Sequence, residues 1–176
     1  MRSEKTFSKH AVDMRDAIDL HVMKGRFGFM LGDAEGKPVW DEPKYAENTV
    51  VTSGRAWVLK HIMSAQSTNV TANPIISALA VGTVSATGPT TSDTILGSEV
   101  SRNTNMTETD QTTSSAPYCV WACSFATSQG NATNLAEFGL FNTSSANVAT
   151  LLARATTTAF SKTTSNTLTV SYTISI

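Results

Sequence analysis

Apolar and polar residues alternate without a break at the C-terminal end of the chain: Leu168, Val170, Tyr172, Ile174 and Ile176 fall on one side, Thr167, Thr169, Ser171, Thr173 and Ser175 on the other. A period of two over that length predicts a half-buried strand, closed into a sheet at its last inward residue. Upstream, AEFGLFN and LLARATTTAF read as two further strands joined by the polar stretch NTSSANVA. Tyr118–Thr127 alternates in the same way and is the best central strand in the middle of the chain. ISALAVGT reads as a buried strand, VSATGPTTSD as a loop and TILGSEV as a short strand. The stretch 101–117 is nearly devoid of apolar residues, so it can supply only an exposed edge strand or a long loop. Strands with Thr-rich outer faces in this succession predict a mainly β protein, an antiparallel β-sandwich or jelly roll of about eight or nine strands.

The first third of the chain reads differently. Over 8–24, Ala11, Met14, Ile18 and Val22 form one narrow helical stripe, with Ser8 as N-cap and Gly25 as C-terminal stop. A helix with so thin an apolar face needs a surface to lie on. It is expected either to pack on its own domain or to form an arm that docks on a neighbouring subunit. RFGFML and KPVWDE flank a Gly32–Gly36 loop and predict a hairpin over 26–42, with Pro38 confined to an edge or a first position. Thr52, Ser53 and Gly54 supply N-cap chemistry for one internal helix over 53–65, with Ala56, Leu59, Ile62 and Met63 inward. The expected organisation is an N-terminal helical arm, 1–25, followed by a β-sandwich domain, 26–176.

Charge follows the same division. Of the 27 Asp, Glu, Lys and Arg residues, 19 precede Met63, and the remaining body is solvated mainly by Thr, Ser and Asn. Uncharged hydroxyl surfaces are cheaper to desolvate than charged ones and suit sheets that pack against neighbours. A net charge of −1 points to neither nucleic acid nor an anionic membrane as partner. No leader peptide or membrane span is expected. Cys119 and Cys123 lie four apart on one strand, about 13 Å, too far for a disulfide and better read as small core residues.

Several stretches carry a resemblance. Asn48-Thr49-Val50-Val51-Thr52-Ser53-Gly54 with Leu59, Ala80-Val81-Gly82-Thr83, Asp93-Thr94-Ile95-Leu96-Gly97-Ser98-Glu99-Val100, Glu137-Phe138-Gly139-Leu140-Phe141-Asn142, Leu151-Leu152-Ala153-Arg154-Ala155 and Asn166-Thr167-Leu168-Thr169-Val170 occur in that order. This succession resembles a group of tailed-bacteriophage virion proteins and, more loosely, the attachment domains of phage tail-collar fibres. It covers residues 26–176. The resemblance implies a non-enzymatic structural component of the virion, assembled in the host cytoplasm as a homo-oligomer. The leading expectation is a capsid-surface decoration (cement) protein against the major capsid protein; the alternative is a neck, collar, tail or baseplate protein. A carbohydrate-binding module is the reading from a different class, disfavoured because Trp40, Trp57 and Trp121 look core-facing or edge-bound.

Candidate chemistry is sparse. From residue 64 onward the carboxylates are Asp93, Glu99, Glu108, Asp110 and Glu137, and no histidine follows His61. No ligand spacing for a metal and no phosphate loop is present, so neither enzymatic activity nor a cofactor is expected. Glu137 and Arg154 stand out because each interrupts an otherwise apolar or hydroxyl-bearing strand, where a charge is costly unless paired. They are expected to hold a turn or to bond across a subunit boundary. Together with Ala11, Met14, Ile18 and Val22 they are the candidates for subunit contact.

Overall fold

A computed structural model describes residues 24–56, 76–83, 88–111, 118–146 and 150–175. Among the described residues nine strands form: β1 (Lys24–Gly32), β2 (Lys44–Val50), β3 (Ala78–Thr83), β4 (Glu99–Asn103), β5 (Thr107–Gln111), β6 (Tyr118–Phe125), β7 (Ala132–Phe141), β8 (Leu151–Lys162) and β9 (Thr167–Ser175). They make one antiparallel sheet in the order β4-β3-β7-β8-β2-β1-β9-β6-β5. The expected mainly β antiparallel architecture is the one formed, its two layers being halves of a single sheet curled into a half-barrel.

The curl has a local cause at β2. Arg26 to Phe29 of β1 pair with Glu47 back to Lys44, whereas Asn48, Thr49 and Val50 pair with Ala155, Arg154 and Ala153 of β8. One strand therefore serves both halves, and the sheet bends where it changes partner. Register shifts between β7 and β8 at Ala132/Leu135 and Leu135/Glu137 swing β8 further away, as bulges do by adding local twist.

Inside the curl the alternating residues of both halves meet. Phe27, Phe29 and Leu31 of β1, Leu168, Val170 and Tyr172 of β9, and Trp121, Cys123 and Phe125 of β6 face Leu79, Val81, Leu135, Phe138 and Leu140 across the core. Phe138 stacks on Phe27 at 5.9 Å and tilts against Phe29 at 4.6 Å, joining the layers through their largest side chains. Each such ring, fully buried, contributes about 1.5–3 kcal/mol. The C-terminal alternation is realised, with Leu168, Val170 and Tyr172 buried and Thr169 exposed. No disulfide joins Cys119 and Cys123, and burial pushes the Cys123 thiol up to about 12.

Several sequence expectations need correction. Lys24 and Gly25 belong to β1, paired with Ser175 and Ile174, so Gly25 is a strand residue and not a helix stop. The 26–42 hairpin loses its return strand. After the turn held by Asp33, whose carboxylate accepts the Glu35 and Lys37 N–H groups, only a Gly32–Pro38 bridge forms, and β2 starts at Lys44. Pro38 has no N–H to extend a ladder, and Trp40 turns inward to pack edge-on against Phe29 and Phe160. TILGSEV is mostly irregular and reaches β4 only at Glu99. The polar stretch after Ser101 holds the end of β4 and the edge strand β5. Residues 52–56 are helical, and the rest of the expected 53–65 helix, with Trp57, lies outside the described residues. The helical arm and its stripe, Ala11, Met14, Ile18 and Val22, also lie outside them.

Candidate functional site

The half of the sheet built from β3, β7 and β8 is buried on both faces. That is why ALAVGT, AEFGLF and LLARA read as nearly continuous apolar runs. The inner residues enter the core. On the outer face Ala78, Ala80, Phe141 and Leu151 form a second cluster with Val51, closed by Leu96. Leu96 arrives on an irregular strap, 88–98, that crosses this face.

Backbone bonds pin the strap along its length. Thr52 N donates to Thr91 O (2.8 Å), Leu151 N to Thr94 O (3.2 Å), and Thr83 N to Ser98 O (2.9 Å). Beneath it, Glu137 and Arg154 are diagonal neighbours across β7 and β8, since Glu137 pairs with Thr156 and Gly139 with Arg154. Arg154 Nη2 donates to Glu137 Oε1 at 2.5 Å and Nη1 to Asp93 Oδ2 at 2.7 Å, while Gly97 N donates to Glu137 Oε2 at 2.8 Å. The buried pair thus grips the strap through the side chain of Asp93 and the backbone of Gly97.

The electrostatics fit a closed structural site. Burial alone would lower the Arg154 pKa, but its bonds to Asp93 and Glu137 and their charges outweigh this, and it is raised. Burial would raise that of Asp93, yet bonds from the Thr90 hydroxyl and N–H and from Arg154 hold it below its ordinary value. Both groups are therefore charged at neutral pH.

Glycines make the close approach possible. A Cβ on Gly54 would lie 2.0 Å from Leu152 O, on Gly82 2.5 Å from Ser98 O, and on Gly139 2.6 Å from the Phe141 ring and 2.9 Å from Leu96. Ser53 Oγ donates to Leu151 O at the same junction. Five of the stretches singled out in the sequence therefore meet here: Asn48–Gly54, Ala80–Thr83, Asp93–Val100, Glu137–Asn142 and Leu151–Ala155.

Of the candidates named from sequence, the structure brings Glu137 and Arg154 together, 0% and 3% exposed, holding a turn within the chain. Asp93 is the partner that sequence reasoning passed over; its signal was a carboxylate inside the Asp93–Val100 stretch. Lys162 was missed as well. It is buried and donates to Ala126 O (2.8 Å) and Asn131 Oδ1 (3.0 Å), and burial lowers its pKa. Period two from Phe160 places it inward. Among the described residues no group of three His, Cys, Asp or Glu is placed to hold a metal ion. No protein family, curated protein or solved structure matches the chain.

Proposed function

We propose that this protein is a non-enzymatic structural component of a tailed-phage virion, set on the capsid surface as a decoration protein in symmetric copies against the major capsid protein. The observation that carries the reading is the convergence of five resemblance stretches on one strap, one ion pair and three close glycine contacts. Stretches so far apart in sequence depend on one another in space, so the resemblance rests on a single interlocked unit and not on scattered local likenesses. Such a unit gives a rigid outer face, useful to a part that must hold its shape while bound by neighbours on a lattice. The looser likeness to tail-collar fibre attachment domains favours the second reading, a neck, collar, tail or baseplate protein.

Mass spectrometry of purified, salt-washed particles tests this. Stoichiometry comparable with the major capsid protein is expected for decoration. A few copies per particle would move the chain to the neck or tail, and its absence would refute a virion role.

A further inference from the structure

The half-barrel has free strand edges that differ in how they are protected. β4 ends the sheet on one side, and its Arg102, paired with Glu99 (2.7 Å), reaches back across the sheet over the Phe141 ring (3.7 Å) to donate to Thr143 O and Ser145 O of the loop after β7. β5 ends it on the other, and its sequence carries Glu108 and Asp110. Charges on an edge discourage pairing with another strand.

A third edge lies inside the sheet. β2 leaves β8 after Asn48↔Ala155, so from Thr157 to Ser161 no strand among the described residues pairs with β8 on the β2 side. Thr158, Ala159 and Ser161 are exposed, and this edge has neither a charge nor a proline. Between the diverging strands is an open slot of about 480 Å³, lined by Pro43, Lys44 and Tyr45 on one wall and Thr157, Thr158 and Ala159 on the other, with Phe29 and Phe160 as its floor. The two floor rings stack at 5.3 Å. Lys44 is held over the Trp40 ring at 4.2 Å and Arg26 over the Tyr45 ring at 3.9 Å.

We propose that this slot is a strand-acceptor site: an extended, uncharged segment of a partner protein adds to the Thr157–Ser161 edge and seats one large apolar side chain on Phe29 and Phe160. Open ladder groups select an extended backbone, because only another strand satisfies a row of alternating donors and acceptors. The neutral, Thr-rich edge selects an uncharged segment, and the aromatic floor selects an aromatic or large aliphatic residue at one alternate position. The inference stands apart from the virion reading, since it needs only the edge and the floor.

The probe is the capped peptide Thr-Val-Thr-Phe-Thr-Val-Thr, titrated into the full chain and followed by amide NMR shifts. Saturable binding is expected, with shifts at 157–161 and 44–47 and none at β5. Replacing the peptide's Phe by Lys should weaken binding by about tenfold or more, equivalent to about 1.4 kcal/mol. Ala159 is exposed and lies in the register irregularity between the Thr156 and Phe160 pairings with β7. Ala159→Lys therefore places a charge on this edge without disturbing a paired position, and should keep its melting temperature while losing the peptide. A lower melting temperature in Ala159→Lys would show that the edge is already covered and would overturn the proposal. Unchanged affinity in Ala159→Lys, shifts at β5, no saturation at millimolar peptide, or competition by a soluble oligosaccharide would each overturn it as well.

Discussion

Replacing Arg154 by Met removes the guanidinium that joins β7, β8 and the strap while keeping most of the side-chain volume. Glu137, fully buried, would then face the interior without its counter-charge, and Asp93 would lose its bond at 2.7 Å. Breaking one partner of a buried ion pair costs about 3–5 kcal/mol, because the remaining charge stays desolvated. That is a large part of the roughly 5–15 kcal/mol that holds a domain folded. For a chain of this size each kcal/mol moves the melting temperature by about 2–4 °C, so a fall on the order of 10 °C is expected. Denaturant titration of Arg154→Met, Glu137→Leu and the double variant gives the coupling energy. The double variant should be less destabilised than Arg154→Met alone, since it no longer buries an unpaired carboxylate. Strap release should accompany the single variant, read as proteolytic cleavage within 88–98 under conditions that leave the parent intact. An Arg154→Met protein within about 1 kcal/mol of the parent, or additive single effects, would refute the reasoning.

The same structure sets other outcomes. Val170→Asp, at a position 0% exposed, should unfold the chain, whereas Thr169→Asp on the exposed face should melt near the parent; equal melting temperatures would contradict the facing of β9. The folded-state pKa of Asp93 lies below its ordinary 3.8, so its contribution is present above that pH and disappears as pH falls through the folded value. Asp93→Asn should therefore flatten the acid side of the stability profile and converge with the parent as pH falls through the folded pKa of Asp93. A parallel profile would contradict the Asp93–Arg154 link. For Lys162 the sign is opposite. Its folded pKa is lowered from 10.5, the unfolded chain binds more protons in that window, and stability rises with pH as the buried ammonium deprotonates. Stability of the parent relative to Lys162→Met should increase towards about pH 10, and a flat difference would show that Lys162 is not desolvated.

Strands with a clear period of two, β6 and β9, were legible because one face is buried and the other wet. The runs in β3, β7 and β8 were legible as strands but not as strands covered on both faces, since the strap that covers them comes from a polar stretch. Over 44–47 β2 shows no legible period, because Lys44, Tyr45 and Glu47 are exposed and Ala46 alone turns inward. The hairpin over 26–42 failed because turn residues set a turn without setting the course of the chain beyond it; here Trp40 is drawn into the aromatic floor. Glu137 and Arg154 were visible as charges in apolar strands, but their partnership depends on the β7–β8 register. Asp93 is 61 residues from Arg154, a separation no local pattern encodes.

The virion reading is tested most directly by a cryo-EM reconstruction of the intact particle at a resolution that separates strands. Density for the nine-stranded half-barrel, repeated in symmetry-related copies over the capsid surface and touching the major capsid protein, is the predicted result. The same fold seen solely at the neck, tail or baseplate would contradict the decoration role, and a particle lacking it everywhere would contradict the account as a whole.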